Sequence, residues 1–352
     1  MSDFPFFSVC IPNYNYERFI AKTLQSVLEQ TFFDFEVIVV DNASTDNSWE
    51  VIKEYAARDK RIRIFRNQYN IGFAPNLQKA TAKALGQYLV LLSSDDLMYP
   101  DALSSYREII GDREDPIVLH AGTDEIDPEG VIKSVILFHT SSDPSAIFHS
   151  RFKPEDVLPN WIDGTTVVRR GIDVLKASLL QGKPVATFLS TCYPKRMWEQ
   201  VEGYDMKYIY SPDYGFLTKI LSFDPDFVYL KKRLFGYRLH PTNQSAQANS
   251  KGALKQQCDR YVQSFSLENH ILVKTEINQE ELQQTFIRVF CLKECLIALR
   301  QGFWLKAFKL FQFAWATYPK QTLICRLTYL CLFLLILGPI SKAFLGFFYS
   351  QK

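Results

Sequence analysis

The chain has 352 residues, which allows two or three domains at roughly 100–200 residues each. With 47% apolar and 22% charged residues it is not a disordered, collagenous or disulfide-scaffold protein. A net charge of +2 supplies no chain-wide basic field, which argues against nucleic acid as a partner.

Residues 1–120 alternate strand and helix signals. Residues 7–12 read as a short apolar strand, after which Phe19, Ile20, Leu24, Val27 and Leu28 fall on one helical face. Residues 35–40 read as a buried strand ending at Asp41. Asn47 with Glu50 resembles a capping pair for a helix carrying Ile52, Tyr55 and Ala56. Residues 61–65 form the next strand. A helix over 76–85 would turn Leu77, Ala80, Ala84 and Leu85 inward, and residues 87–92 make a strand ending in Ser93-Ser94-Asp95-Asp96. This alternation predicts βαβ units with right-handed crossovers, whose ligands sit at the carboxyl ends of the strands. Those ends carry residues 12–15, 41–46 and 93–96, so three polar loops converge on one edge.

Residues 121–245 are less regular. Asp127-Pro128-Glu129-Gly130 is a turn, residues 154–183 mix short helices and loops, 196–201 and 213–221 read as helical, and 227–239 as extended. Residues 246–300 read as long helices, one opened by a capping box of Asn278 with Glu281. The composition shifts near Phe303. Residues 303–318 place Trp304, Phe308, Phe311 and Trp315 at helical spacing beside Lys306 and Lys309, as in an interfacial helix. An apolar run over 327–340 follows, shorter than the ~20 residues of a spanning helix unless it continues across Lys342 to Tyr349, with Gly338-Pro339 as a kink. The alternative is a helical hairpin buried in an oligomer.

The first residues have no basic and apolar leader pattern, so no cleaved secretory signal is expected. Seven cysteines, scattered through apolar contexts, do not make a disulfide framework or a zinc site. Cys291 and Cys295, one helical turn apart, read as packing residues. His120, His139, His149 and His270 lie in no motif.

Adjacent carboxylates at a strand end, Asp95 and Asp96, repel unless a hard cation neutralises them, and Mg²⁺ or Mn²⁺ binds one or two carboxylates plus phosphates. The competing reading is a helix start near Asp101. Asp41 can accept from a base or a ribose hydroxyl, or cap its own loop. Tyr14 offers a flat face for a nucleobase, or closes a core.

Taken together, the blocks IPNYN, EVIVVDNASTD, NIGFAPN and YLVLLSSDD resemble, in order and spacing, the family-2 glycosyltransferases of GT-A fold, over residues 5–245. The resemblance implies a Rossmann-type mixed sheet flanked by helices, to which the pattern after Phe303 adds an expected C-terminal helical, membrane-associating extension. It implies Pro12, Tyr14 and Asp41 at the base and ribose, with Asn70, Gly72 and Asn76 shaping the nucleotide pocket. Asp95, with Asp96 beside it, would ligate Mn²⁺ or Mg²⁺. Ser93 stands where many members have the first acid of Asp-x-Asp-Asp. Gly203-Tyr204-Asp205 and Ser211-Pro212-Asp213-Tyr214 resemble the acceptor-side block, which makes Asp213 the base, with Asp205 in reserve. Tyr237-Arg238-Leu239-His240, followed by Asn243 and Ser245, resembles the family's R-x-H segment. It implies Arg238 on the diphosphate and His240 on the metal.

The domains expected are 1–120 for the nucleotide sugar, 121–245 for the acceptor, 246–300 helical, and 301–352 membrane-associating. The expected activity is inverting transfer from a nucleoside diphosphate sugar, with uridine by family frequency, to an acceptor hydroxyl. The acceptor class expected is a glycan or lipid-linked glycan at the cytoplasmic face of a membrane, as in surface-polysaccharide assembly. Oligomeric state is open. Two rivals stand beside this reading: a soluble transferase with an oligomerising C-terminus, and a non-catalytic nucleotide-sugar-binding scaffold.

Overall fold

The computed structural model describes residues 4–140, 147–182, 186, 188–208, 211–243 and 254–337. Residues 338–349, which carry the end of the expected apolar run, and Ser245 lie outside them, as do the side chains of His139 and His149. The chain divides into two compact units, residues 1–175 with 184–243, and residues 176–183 with 244–352.

The first unit is built on one mixed sheet. Its strands are β1 (Phe7–Asn13), β2 (Phe35–Asp41), β3 (Ile62–Arg66), β4 (Tyr88–Leu91), β5 (Leu97–Met98), β6 (Ile117–Ile126), β7 (Ile132–Thr140), β8 (Ile147–Phe152), β9 (Thr166–Arg170), β10 (Cys192–Pro194) and β11 (Asp226–Arg238). The order is β3-β2-β1-β4-β10-β6-β11-β5, with β7 and β8 extending from β6 and β9 paired to β11. β1 to β4 are mutually parallel, β10 runs against both β4 and β6, and β6 and β11 are parallel. β6 and β11 therefore point the same way as β1, β2 and β4. All five end at one edge.

Local chemistry explains the elements. β1 and β2 are buried along their whole length, and near-continuous apolar runs suit strands covered on both faces. Helix α1 (Ile20–Leu28) buries Ile20, Leu24 and Val27 on that sheet. Helix α2 (Ser48–Arg58) has a different cap from the Asn47–Glu50 pair. The Asn47 side chain makes no cap bond, and Asp46 Oδ1 accepts from Ser48 N–H (2.9 Å) while Glu17 accepts from Asn47 N–H (2.8 Å). Helix α3 (Phe73–Ala82) starts and ends about one turn before the expected 76–85. Gly72, at φ +89°, turns the chain into it, and Leu85 is left 43% exposed instead of inward. Gly86 is obligatory, because a Cβ there would stand 2.7 Å from the Phe7 carbonyl carbon.

Helix α4 (Ala102–Ile110) follows β5, α5 (Gly171–Gln181) follows β9, α6 (Lys195–Gln200) follows β10, and α7 (Pro212–Leu221) leads into β11.

The second unit is helical: α8 (Lys255–Ser266), α9 (Asn269–Thr275), α10 (Gln279–Thr285), a π-helical stretch Phe286–Lys293, α11 (Glu294–Gln301), α12 (Trp304–Thr317), α13 (Pro319–Ile324) and α14 (Arg326–Leu337). The Asn278–Glu281 capping box is formed at α10, both bonds being 2.9 Å. Cys291 and Cys295 are fully buried beside Phe286, Leu292 and Leu310. No helix among the described residues is long and apolar enough to cross a membrane.

Candidate nucleotide-sugar site

Two polar clusters form where the parallel strands end. The first joins the ends of β1 and β2. Asp41 is fully buried. Its Oδ1 accepts from Asn13 Nδ2 (2.9 Å) and Ser44 Oγ (2.5 Å), and its Oδ2 accepts from Ser44 N–H (3.1 Å) and forms an ion pair with Arg66 Nε (3.2 Å). Its carboxylate is thus engaged by Ser44 of its own loop, Asn13 of β1 and Arg66 of β3, and so holds the loop against the strand ends. Asn15, in the left-handed region at φ 56°, donates its N–H to Ser44 Oγ (3.0 Å), and Tyr14 between them is 40% exposed. Pro12 is buried in β1.

An amide network extends this cluster toward α3. Asn42 donates to Asn70 Oδ1 (2.8 Å) and the Gly72 carbonyl (3.2 Å), and accepts from Asn67 (2.9 Å) and the Ile71 N–H (2.9 Å). Asn67 also donates to Asn76 Oδ1 (2.8 Å), and Asn76 donates to the Val40 carbonyl (2.9 Å). Asn70, Gly72 and Asn76 are therefore held in one network with Asn42 and Asn67, which sequence reading passed over. The signal available was only that both asparagines sit at strand ends.

The second cluster joins the loop after β4 to the end of β11. Asp95 Oδ2 lies 3.0 Å from His240 Nε2 and accepts from Asn243 Nδ2 (3.4 Å). Arg238 is fully buried. Its backbone N–H donates to Asp96 Oδ1 (2.8 Å), its Nε to the Asp95 carbonyl (2.7 Å), and Nη1 to the carbonyls of Pro128 (2.8 Å) and Asp127 (3.2 Å). Phe19 stacks under the guanidinium at 5.1 Å and beside the His240 ring at 4.5 Å. Thr23 Oγ1 ties α1 to the carbonyls of Ser94 and Asp96 (3.0 and 2.8 Å).

Charge is crowded here. Burial first, and then the Asp95 charge, push the Asp96 carboxyl well above the usual carboxylate range, against the Arg238 N–H and the Ser93 hydroxyl. Ser93 hydrogen-bonds Asp96 where an acid would add a third carboxylate to a desolvated site. Asp96 Oδ2 is buried with no well-formed hydrogen bond among the described residues. Burial and Asp95, to which it hydrogen-bonds, raise the Tyr16 phenol, so Tyr16 stays a donor. Tyr16, Phe19 and Thr23 went unread in the sequence as site residues because their neighbours in space lie far along the chain.

Asp213 lies in the first turn of α7, near enough to the buried Tyr204 for its charge to help raise that phenol. Burial pushes the Asp205 carboxyl up, but Lys207 (2.9 Å) and Lys219 (3.6 Å) prevail and leave it below its usual value, a poor proton acceptor.

The strand ends that carry Asp41 and the acidic pair fall within a known domain, while Arg238 and His240 lie beyond it. Residues 8–172 match the model of Glycosyl transferase family 2.

Residues 8–172 belong to glycosyltransferase family 2.

Among relatives of this family 2 domain, an uncharacterized glycosyltransferase MJ1057 of Methanocaldococcus jannaschii is 27% identical over 67% of this chain and 72% of its own length. An uncharacterized glycosyltransferase of Haemophilus influenzae is 31% identical over 34% of this chain and 42% of its own. The putative teichuronic acid biosynthesis glycosyltransferase TuaG of Bacillus subtilis is 36% identical over 31% and 43%. The match thus spans less than half the length of the latter two. The fold is similar to that of Staphylococcus aureus TarS 1–349 in complex with UDP-GlcNAc. The TM-score is 0.59 at 16% identity, over 96% of this chain and 89% of that one.

Proposed function

We propose that the protein transfers a sugar, with inversion, from a UDP-sugar to an acceptor hydroxyl. The observation that carries this is the buried cluster of Asp95, His240, Arg238 and Asp96 at the shared strand edge. The UDP-GlcNAc and UDP bound by structures of similar fold support the choice of donor. A glycan or lipid-linked acceptor at the cytoplasmic face of a membrane, in surface-polysaccharide assembly, fits the naming of TuaG.

Asp95 Oδ2 and His240 Nε2 face each other, a donor pair that suits Mn²⁺ or Mg²⁺, with Asp96 beside them. Among the described residues no three His, Cys, Asp or Glu side chains form a ligand set, so donor phosphate oxygens would complete the shell. A bound cation would neutralise charge on the departing diphosphate. The remaining work falls to the chain. Tyr14 and the Asp41-braced loop hold the base and ribose, and the network of Asn70, Gly72 and Asn76 fixes the pocket wall. Arg238 places a positive charge beside the leaving group. Asp213 takes the acceptor hydroxyl proton as its oxygen attacks the anomeric carbon opposite the breaking bond.

UDP release from a panel of UDP-sugars, with Mn²⁺ or with chelator, tests this. Asp213→Asn should bind donor within a few-fold of wild type yet release UDP at least ~100-fold more slowly. Asp95→Asn should lose both binding and turnover. Undiminished turnover by Asp213→Asn removes the base assignment, and wild-type binding without turnover across the panel favours a scaffold.

A further inference from the structure

The second unit carries an outward surface that its own core does not use. α12 buries Ala307, Leu310 and Ala314, and α14 buries Cys331 and Leu334, in one shared core. Away from that core α12 exposes Leu305 (67%), Phe308 and Trp315 within one sector at helical spacing, and Lys306 and Lys309 flank that sector on one side. α14 exposes Tyr329, Leu330, Leu332 and Ile336 (75%), so its solvent side is as apolar as its core side. Exposed apolar area on this scale marks an interaction surface.

Charge says what covers it. Residues 301–352 hold six basic residues, Lys306, Lys309, Lys320, Arg326, Lys342 and Lys352, and no Asp or Glu. Pairing with a second copy would bring like charges together, whereas an anionic surface is complementary to them. Over the described residues α12 and α14, 14 and 12 residues long, reach about 21 and 18 Å, short of a ~30 Å hydrocarbon core, and their inner faces are already packed. We infer that this unit docks in the plane of an anionic lipid surface. The apolar outer faces of α12 and α14 would sink to the acyl boundary while the lysines reach the headgroups. The inference does not depend on the transferase reading.

Flotation of the full chain with vesicles of phosphatidylcholine, with and without phosphatidylglycerol, tests it. Binding should require phosphatidylglycerol, weaken in high salt, and yield to alkaline carbonate. Lys306→Glu with Lys309→Glu should lower affinity about tenfold or more. Leu305→Glu with Phe308→Glu, and Leu330→Glu with Ile336→Glu, should abolish binding. Their melting temperatures should match wild type, because all four side chains are exposed. Several results would overturn the inference: no flotation, equal binding to neutral vesicles, retention after carbonate, or wild-type binding by both apolar pairs. So would a lipid-free dimer, seen by light scattering, that the same variants dissociate.

Discussion

Replacing Arg238 by Met keeps most of the side-chain volume and removes the charge and the donors. Arg238 is fully buried, and it supplies three hydrogen bonds from its side chain, one to Asp95 and two to the 127–128 turn. Each carbonyl left without a donor costs about 1 kcal/mol or more. The stack on Phe19 contributes roughly another 0.5–1 kcal/mol. Asp95 and Asp96 also lose their nearest buried cation. The sum, about 3–5 kcal/mol, is the range for removing one partner of a buried ion pair. Urea unfolding of the full chain should show it as a lower midpoint, and heating as a melting temperature lower by roughly 6–20 °C. Adding Asp96→Asn to Arg238→Met should recover part of the loss, since the uncompensated carboxylate is then gone. A loss below about 1 kcal/mol, or strict additivity of the two changes, would refute the account of Arg238 as the charge that holds this edge together.

Asp96 has a raised folded-state pKa, so its stabilising effect is complete below the ordinary aspartate range and is lost as pH rises through the raised value. Asp96→Asn, with no proton to lose, should therefore gain melting temperature over wild type as pH rises from about 4 to about 8. A pH-independent difference would contradict this. In the helical unit, Asn278→Ala removes both the acceptor of the Glu281 N–H and the capping box, and should cost about 1 kcal/mol. Hydrogen exchange should show it as faster exchange at the first amides of α10, and unchanged exchange there would refute the cap.

Most strands and helices of residues 7–110 were legible because their signals are local; the two-residue β5, which pairs with β11, was not. The valines and isoleucines of residues 35–40 need no partner to read as a buried strand, and Leu24 and Val27 show their face by spacing alone. The errors arose where a neighbour distant in the chain decides. The cap of α2 comes partly from Glu17, and α3 begins where the positive φ of Gly72 permits.

The sequence alone placed acidic and amide residues at strand ends, because strand periodicity and a family's block order are properties of short segments. The family resemblance put His240 and Asp95 on one metal, but only the tertiary structure paired them directly across 145 positions and threaded Arg238 between Asp95 and the 127–128 turn. That outcome depends on strand order. β10 enters the sheet antiparallel and so aligns β6 and β11 with β1, β2 and β4, which brings all their ends to one edge. Pairing across such distances is selected by the burial and hydrogen bonding of the whole sheet, and no window of sequence contains it.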